Sequence, residues 1–99
     1  MPKYNLVYTS KYRTFYQIEF EYSVENFGAN HANQYFDKID EMVQNLAHNP
    51  KLYRDRGEFR VANSIDGIYV MYKINDDLKA ITVLDIAGNS RYLALINKK

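Results

Sequence analysis

Apolar residues recur in this chain with distinct rhythms, and each rhythm predicts an element. Tyr35, Phe36, Ile39, Met42, Val43 and Leu46 fall at i, i+1, i+4, i+7, i+8 and i+11, one face of a 3.6-residue helix. Asp37, Lys38, Asp40, Glu41 and Gln44 take the opposite side. Asn30 is the expected N-cap, and Pro50 stops the helix because proline has no amide hydrogen to donate. Further on, Ile68, Val70, Tyr72 and Ile74 alternate with period two and predict a strand. Ala80 to Ala87 is mostly apolar, as a central strand should be. Asn75-Asp76-Asp77 joins these two runs, and Asp66-Gly67 marks a turn before them. Glu58 to Asn63 predicts another strand, and Tyr4, Leu6 and Tyr8 predict a short first one.

One stretch reads both ways. Tyr16, Ile18, Phe20, Tyr22 and Val24 alternate strictly, which locally favours a strand. Wound as a helix, the same stretch gives a broad apolar arc with Glu19 and Ser23 inside it. Length decides: Ser10 to Phe27 is 18 residues without Gly or Pro, and strands rarely exceed about 10. A helix is predicted, capped by Thr9 or Ser10 and closed by Gly28. Glu19 is then a tolerated helix-edge residue, or the partner of a cation across the hairpin. Only Gly28-Ala29-Asn30 separates the two helices, so they should pair antiparallel. First strand, helix hairpin and meander make an α+β domain, with the hairpin on one face of an antiparallel sheet of three to four strands. Tyr35, Ile39, Met42, Val43, Leu46, Val70, Tyr72, Ile81 and Val83 should supply much of the core.

Composition narrows the picture. The length of 99 residues predicts one domain over 1–99 with a single core. A formal net charge of +1 gives no global nucleic-acid signature, and no sequence-specific nucleic-acid binding is expected. The absence of cysteine excludes a disulfide scaffold, thiol catalysis and thiolate metal sites. No apolar run approaches the roughly 18 residues that span a bilayer, and Met1-Pro2-Lys3 does not open a signal peptide; a cytoplasmic location is the expectation. Ten tyrosines beside no tryptophan suggest a core with wet margins or a surface facing a partner, since a phenol buries its ring while its hydroxyl reaches water.

Candidate chemistry collects where elements end. Lys51, Arg54, Arg56 and Arg60 crowd one loop but are interrupted by Asp55 and Glu58, leaving a surplus of about two charges. Such a loop is by default solvated and self-paired. The functional alternative is that Arg54, Arg56 and Arg60 join Arg91 at one sheet edge and bind a target, because the planar guanidinium pairs bidentately with carboxylate or phosphate. His31 and His48 read as polar residues at the two ends of the second helix. They would stand about 25 Å apart at 1.5 Å per residue, too far to share a metal; no metal or cofactor is expected.

Several local phrases, in order, resemble the RelE/ParE superfamily of bacterial type II toxins. Tyr22 with Phe27-Gly28 resembles the family's tyrosine and (F/W)G at the end of the first helix. Ala32 through Leu46 and Asn49-Pro50 resemble its second helix and the NP that ends it. Gly67-Ile68-Tyr69-Val70-Met71-Tyr72 resembles the GxYxIxY strand. Val83-Leu84-Asp85-Ile86 with Asn89-Ser90-Arg91 sits where the family writes ILxILHxxRD. The resemblance spans about Tyr4 to Ile96.

Two departures bear on mechanism. The ribosome-dependent mRNA endonucleases of the RelE branch usually place an arginine where this chain has Tyr69, and Asp85 stands at or near their C-terminal histidine. Phosphodiester cleavage by a 2′-hydroxyl needs a base, an acid and cations for the phosphorane, and here only Arg60, Arg91 and Tyr92 remain to build such a site. The likeness is closer to the ParE branch, whose members are non-enzymatic inhibitors of DNA gyrase. It implies the toxin of a plasmid-stabilisation system, partnered by a cognate antitoxin that wraps it with an amphipathic helix and an extended segment. A ribosome-dependent endonuclease and a degenerate, non-toxic family member are the alternatives.

Overall fold

The structure is a computed structural model that describes residues 3–63 and 67–97. Its elements run β1 (Asn5–Tyr8), α1 (Ser10–Phe27), α2 (Ala29–Leu46), β2 (Arg54–Asp55), β3 (Arg60–Asn63), β4 (Ile68–Asn75), β5 (Ala80–Gly88) and α3 (Asn89–Asn97). The ambiguous stretch is helix α1. Its packed stripe is Tyr12, Phe15, Tyr16, Glu19, Phe20 and Ser23, a helical spacing, while Ile18 and Tyr22 are left 48% and 60% exposed. The strict alternation was therefore incidental to the fold.

Thr9 starts α1 and ties it to the sheet. Its Oγ1 accepts the Tyr12 N–H at 3.0 Å, while its hydroxyl donates to the Leu84 carbonyl at 2.7 Å. Thr9→Ala removes both bonds, so it should cost about 1–2 kcal/mol, read as a lower midpoint in thermal or urea unfolding. An unchanged midpoint would refute the role of the cap.

Gly28 alone joins the helices. Its φ of +90° lies in the region that glycine adopts without strain, and its N–H reaches the Val24 carbonyl at 2.9 Å. Its own carbonyl already accepts from Ala32 N–H at 3.1 Å. The second helix therefore begins at Ala29, and Asn30 lies inside its first turn rather than at its cap. Phe36 of α2 meets Tyr16 and Phe20 of α1 edge-on, with ring centroids 5.2 and 5.4 Å away, which holds the hairpin antiparallel.

The sheet has five strands in the order β1-β5-β4-β3-β2, more than the three to four expected. It is also mixed: β1 pairs parallel with β5, and every other pairing is antiparallel. The third strand starts at Arg60 instead of Glu58, because the chain turns through Gly57, at φ +94°, and Arg56 N–H bonds the Phe59 carbonyl at 2.8 Å. Arg54 and Asp55 pair back onto Val61 and Arg60 and so become β2. Gly67, with φ +87°, has the backbone expected of a turn; Asp66 lies outside the described residues.

Both faces of the sheet are covered. On one, Phe36, Ile39, Val43 and Leu46 of α2 pack with Val70, Tyr72, Ile81 and Val83, all fully or almost fully buried, and the expected core residues Tyr35 and Met42 flank them half-buried. On the other, Val61, Met71 and Ala87 are covered by Tyr92 of α3, with Phe59, Tyr69, Leu84 and Leu95 around them. A bulge between Met71 and Tyr72 sets Asp85 opposite Met71 and Val83 opposite Tyr72, with Leu84 as the extra residue. Among the described residues no helix is long and apolar enough to cross a membrane.

Candidate functional site

Strand order separates the arginines that the sequence suggested grouping. Arg54 and Arg60 stand on β2 and β3 at one edge, with Arg56 in the turn between them; Arg91 lies in α3 against β5, toward the other edge.

The loop arginines differ among themselves. Arg60 faces the helix hairpin, in register with Tyr72; its Nη1 donates to the Tyr53 carbonyl at 2.9 Å, and its Nη2 is 3.5 Å from the Asp55 carboxylate. Lys51 pairs with Asp76 at 3.5 Å. Asp76 also accepts the Tyr4 hydroxyl at 2.6 Å, and that bond, with Lys51 and Lys79 nearby, holds its carboxyl below the usual range. Much of this loop is thus paired with its own neighbours. Arg54 and Arg56 are exposed and meet no carboxylate within 4 Å among the described residues. Within this loop they are the cations left without a carboxylate partner among the described residues.

Arg91 is an anchor. Its guanidinium grips Asp85 with two nitrogens at 2.9 and 3.2 Å, donates to the Ile86 carbonyl at 2.8 Å and lies 3.5 Å over the Phe15 ring. Asp85 is only 4% exposed; it also accepts its neighbour Ile86's N–H at 2.8 Å and faces Lys11 at 3.4 Å. The location explains the network. β1 pairs with β5 only from Ala80 to Val83, so the edge of β5 beyond Val83 would expose unpaired backbone groups. Thr9 takes the Leu84 carbonyl, Asp85 the Ile86 N–H and Arg91 the Ile86 carbonyl. An acid inside the apolar run Ala80–Ala87 is the sequence signal for this buried pair.

Tyr92 is 4% exposed and its ring stacks on Tyr69, centroids 4.0 Å apart and 7° from parallel. It belongs to the α3 face, whereas Arg60 faces the hairpin. Arg60, Arg91 and Tyr92 therefore do not converge on one point. His31 and His48 are exposed at opposite ends of α2, with the His31 ring 5.3 Å from that of Phe27. Among the described residues no three His, Cys, Asp or Glu side chains gather to hold a metal. Glu19 meets no cation there either. Its carboxylate lies against Gly88, Oε1 being 3.5 Å from where a Cβ would stand, beside the start of α3, where the helix dipole favours a negative charge.

On the α3 face lies an apolar groove of about 390 Å³, walled by Phe59, Met71, Leu84 and Leu95, with Thr9, Lys11 and Asp85 at its polar end. Leu93 adds exposed apolar surface nearby, at 45%. Such a groove suits an amphipathic helix, apolar side down.

Comparison with known proteins adds to this geometry. The family model for the ParE toxin of the type II toxin–antitoxin system parDE matches residues 6–92. No curated protein matches by sequence. Among solved structures, the chain is similar to one from the chromosomal ParDE toxin–antitoxin system of P. aeruginosa, with TM-score 0.74, 18% identity and coverage of 89% of this chain and 98% of that one. It is also similar to one from the intact RelBE toxin–antitoxin complex of E. coli, with TM-score 0.55, 16% identity and coverage of 86% and 95%. A third comes from the RelBE2 complex of Mycobacterium tuberculosis, with TM-score 0.57, 15% identity and coverage of 89% and 93%. At such identities the likeness is one of fold.

Proposed function

The chain belongs to the ParE toxin family of type II toxin–antitoxin systems, and on that premise we propose that it is a non-enzymatic inhibitor of DNA gyrase, neutralised by a cognate antitoxin, with residues 1–99 acting as one toxin domain. The observation that carries the reading is the match to the ParE model across residues 6–92. The geometry supports it: Arg60, Arg91 and Tyr92, the residues a ribonuclease would need here, lie on different faces and edges. A binding mechanism asks less of the chain. Arg54 and Arg56 offer solvent-facing guanidinium forks to an acidic surface of the target, where charge complementarity sets registration and association rate. The groove beside Leu84 and Leu95 takes the antitoxin's amphipathic helix, with Lys11 at its polar end.

The test joins three measurements on purified protein. Gyrase supercoiling should be inhibited, translating ribosomes should show no cleaved codons in the A site, and the neighbouring antitoxin should bind with a Kd of about 1 nM and reverse the inhibition. Replacing Arg54 and Arg56 together with Gln should weaken inhibition about tenfold, equivalent to about 1.4 kcal/mol, at unchanged melting temperature. Untouched gyrase together with cleaved mRNA on ribosomes would overturn the proposal.

A further inference from the structure

A second concave site lies where β1 meets the helix hairpin, and its chemistry is unlike that of the α3 groove. Tyr8 at the end of β1 and Tyr12 and Tyr16, one turn apart on α1, line a cleft of about 390 Å³. Their rings follow one another, with centroids 5.5 and 5.8 Å apart and tilts of 33° and 44°. Asp40, projecting from α2, accepts the Tyr16 hydroxyl at 2.9 Å, and Gln44 donates to the Tyr8 hydroxyl at 3.4 Å.

Two groups in this cleft stand open to a ligand. The Tyr12 ring is buried, the residue being 5% exposed, while its hydroxyl reaches solvent in the cleft beside Asp40 and has no hydrogen-bond partner among the described residues. Such a phenol buries its ring and keeps its hydroxyl free for water or a ligand. Asp40 has no cation within 4 Å among the described residues; Arg13, on the rim of the same cleft, does not reach it. Burial pushes the Asp40 carboxyl above its usual range; Tyr16's bond pulls it down, and Asp37 on the same helix pushes it up. The cleft therefore presents a carboxylate short of counter-charge, an unused phenol oxygen and the surfaces of three rings.

The ligand that completes this set is a hydrogen-bond donor with positive charge and a flat, weakly hydrated body. A metal ion does not suit one carboxylate among neutral phenols. A guanidinium does: it gives the carboxylate a fork of N–H donors and stacks on tyrosine. We propose that this cleft is a cation site for an arginine side chain of a partner protein, with Asp40 as counter-charge, Tyr12 as the second acceptor and Tyr8 and Tyr16 as the aromatic walls. The site is independent of the choice between gyrase and ribosome, and it lies on the hairpin side of β1, away from the α3 groove.

Titrating the protein with Nα-acetyl-arginine methylamide, followed through the tyrosine ring resonances by NMR, tests the idea. Tyr8, Tyr12 and Tyr16 should shift together and saturate, with a Kd of about 1 mM, and the uncharged norleucine analogue should produce no saturating shift. Asp40→Asn should weaken binding at least about tenfold without lowering the melting temperature, because it removes an exposed charge that lacks a counter-ion. Binding should also fade as the pH drops through the raised Asp40 value, since protonation removes the counter-charge. Tyr8, Tyr12, Tyr16 and Arg13 face Asp40 from β1 and α1, and Asp37 from α2; burial raises Tyr8, Tyr12 and Tyr16 further above the acid range. Arg13→Gln should leave binding intact or tighten it by removing a competing cation. Equal shifts with norleucine, full binding in Asp40→Asn, loss of binding in Arg13→Gln, or no saturation would each overturn the proposal.

Discussion

Val83→Asp or Ile39→Asp will leave no folded protein. Val83 is 0% exposed at the middle of the sheet, in register with Tyr8 on one side and Tyr72 on the other. Ile39 is 1% exposed on the helix that covers it. A carboxylate at either place has no partner within the apolar layer, so it must protonate or draw in water, and either costs several kcal/mol. The lost side chain adds roughly 1.5–3 kcal/mol of burial. A domain of this size is stable by about 5–15 kcal/mol, so the change consumes most of that margin. Soluble yield and the dispersion of amide NMR signals read the outcome. The control is Ile18→Asp, a site 48% exposed on α1, which should shift stability by no more than about 0.5 kcal/mol. A soluble Val83→Asp with the parent melting temperature would show the core assignment to be wrong.

Arg91→Ala should be the most damaging loss of a single charged side chain. It strands Asp85, only 4% exposed, with Lys11 at 3.4 Å and one backbone N–H for company. It also frees the Ile86 carbonyl at the open edge of β5 and uncovers Phe15. Breaking a buried pair from one side costs about 3–5 kcal/mol; Arg91 keeps 27% of its side chain in solvent, which places the expectation near 3 kcal/mol. At about 4–8 °C per kcal/mol for a domain this small, the melting temperature should fall by more than about 10 °C. Asp85→Ala in the same chain should restore part of the loss, because the uncompensated charge is then gone; a double-mutant cycle measures that coupling. Additive effects of the two substitutions would refute the anchor. Loss of toxicity in Arg91→Ala alone would report unfolding, whatever Arg91 does at a target.

Much of the architecture is local and was therefore open to reading from the chain. The 3.6-residue stripe from Tyr35 to Leu46, the stop at Pro50, the hinge at Gly28, the cap at Thr9 and the alternation from Ile68 to Ile74 each depend on residues within a turn or two of one another. Period and punctuation disclose such features before any long-range contact exists. Together they carried the α+β order, the family likeness and the core assignment from Ile39 to Val83.

Pairing across the chain could not be read that way. β1 joins β5 parallel, Asn5 against Ala80, a pairing between distant parts of the chain that no local period announces. β2 is two residues long and has no period; it exists because Arg54 and Asp55 find β3 across a turn. α3 is short, and Tyr92 gains its burial from Tyr69 on another strand. The fate of each charge was decided in the same way. Arg91 looked available in sequence and is consumed by Asp85 six residues earlier, while Arg54 and Arg56 remain exposed. Asp40, on the polar side of its own helix, faces a tyrosine cleft built by two other elements. A helix or strand declares itself through neighbours along the chain, but a salt bridge, a sheet edge or a cleft depends on which surfaces meet in space.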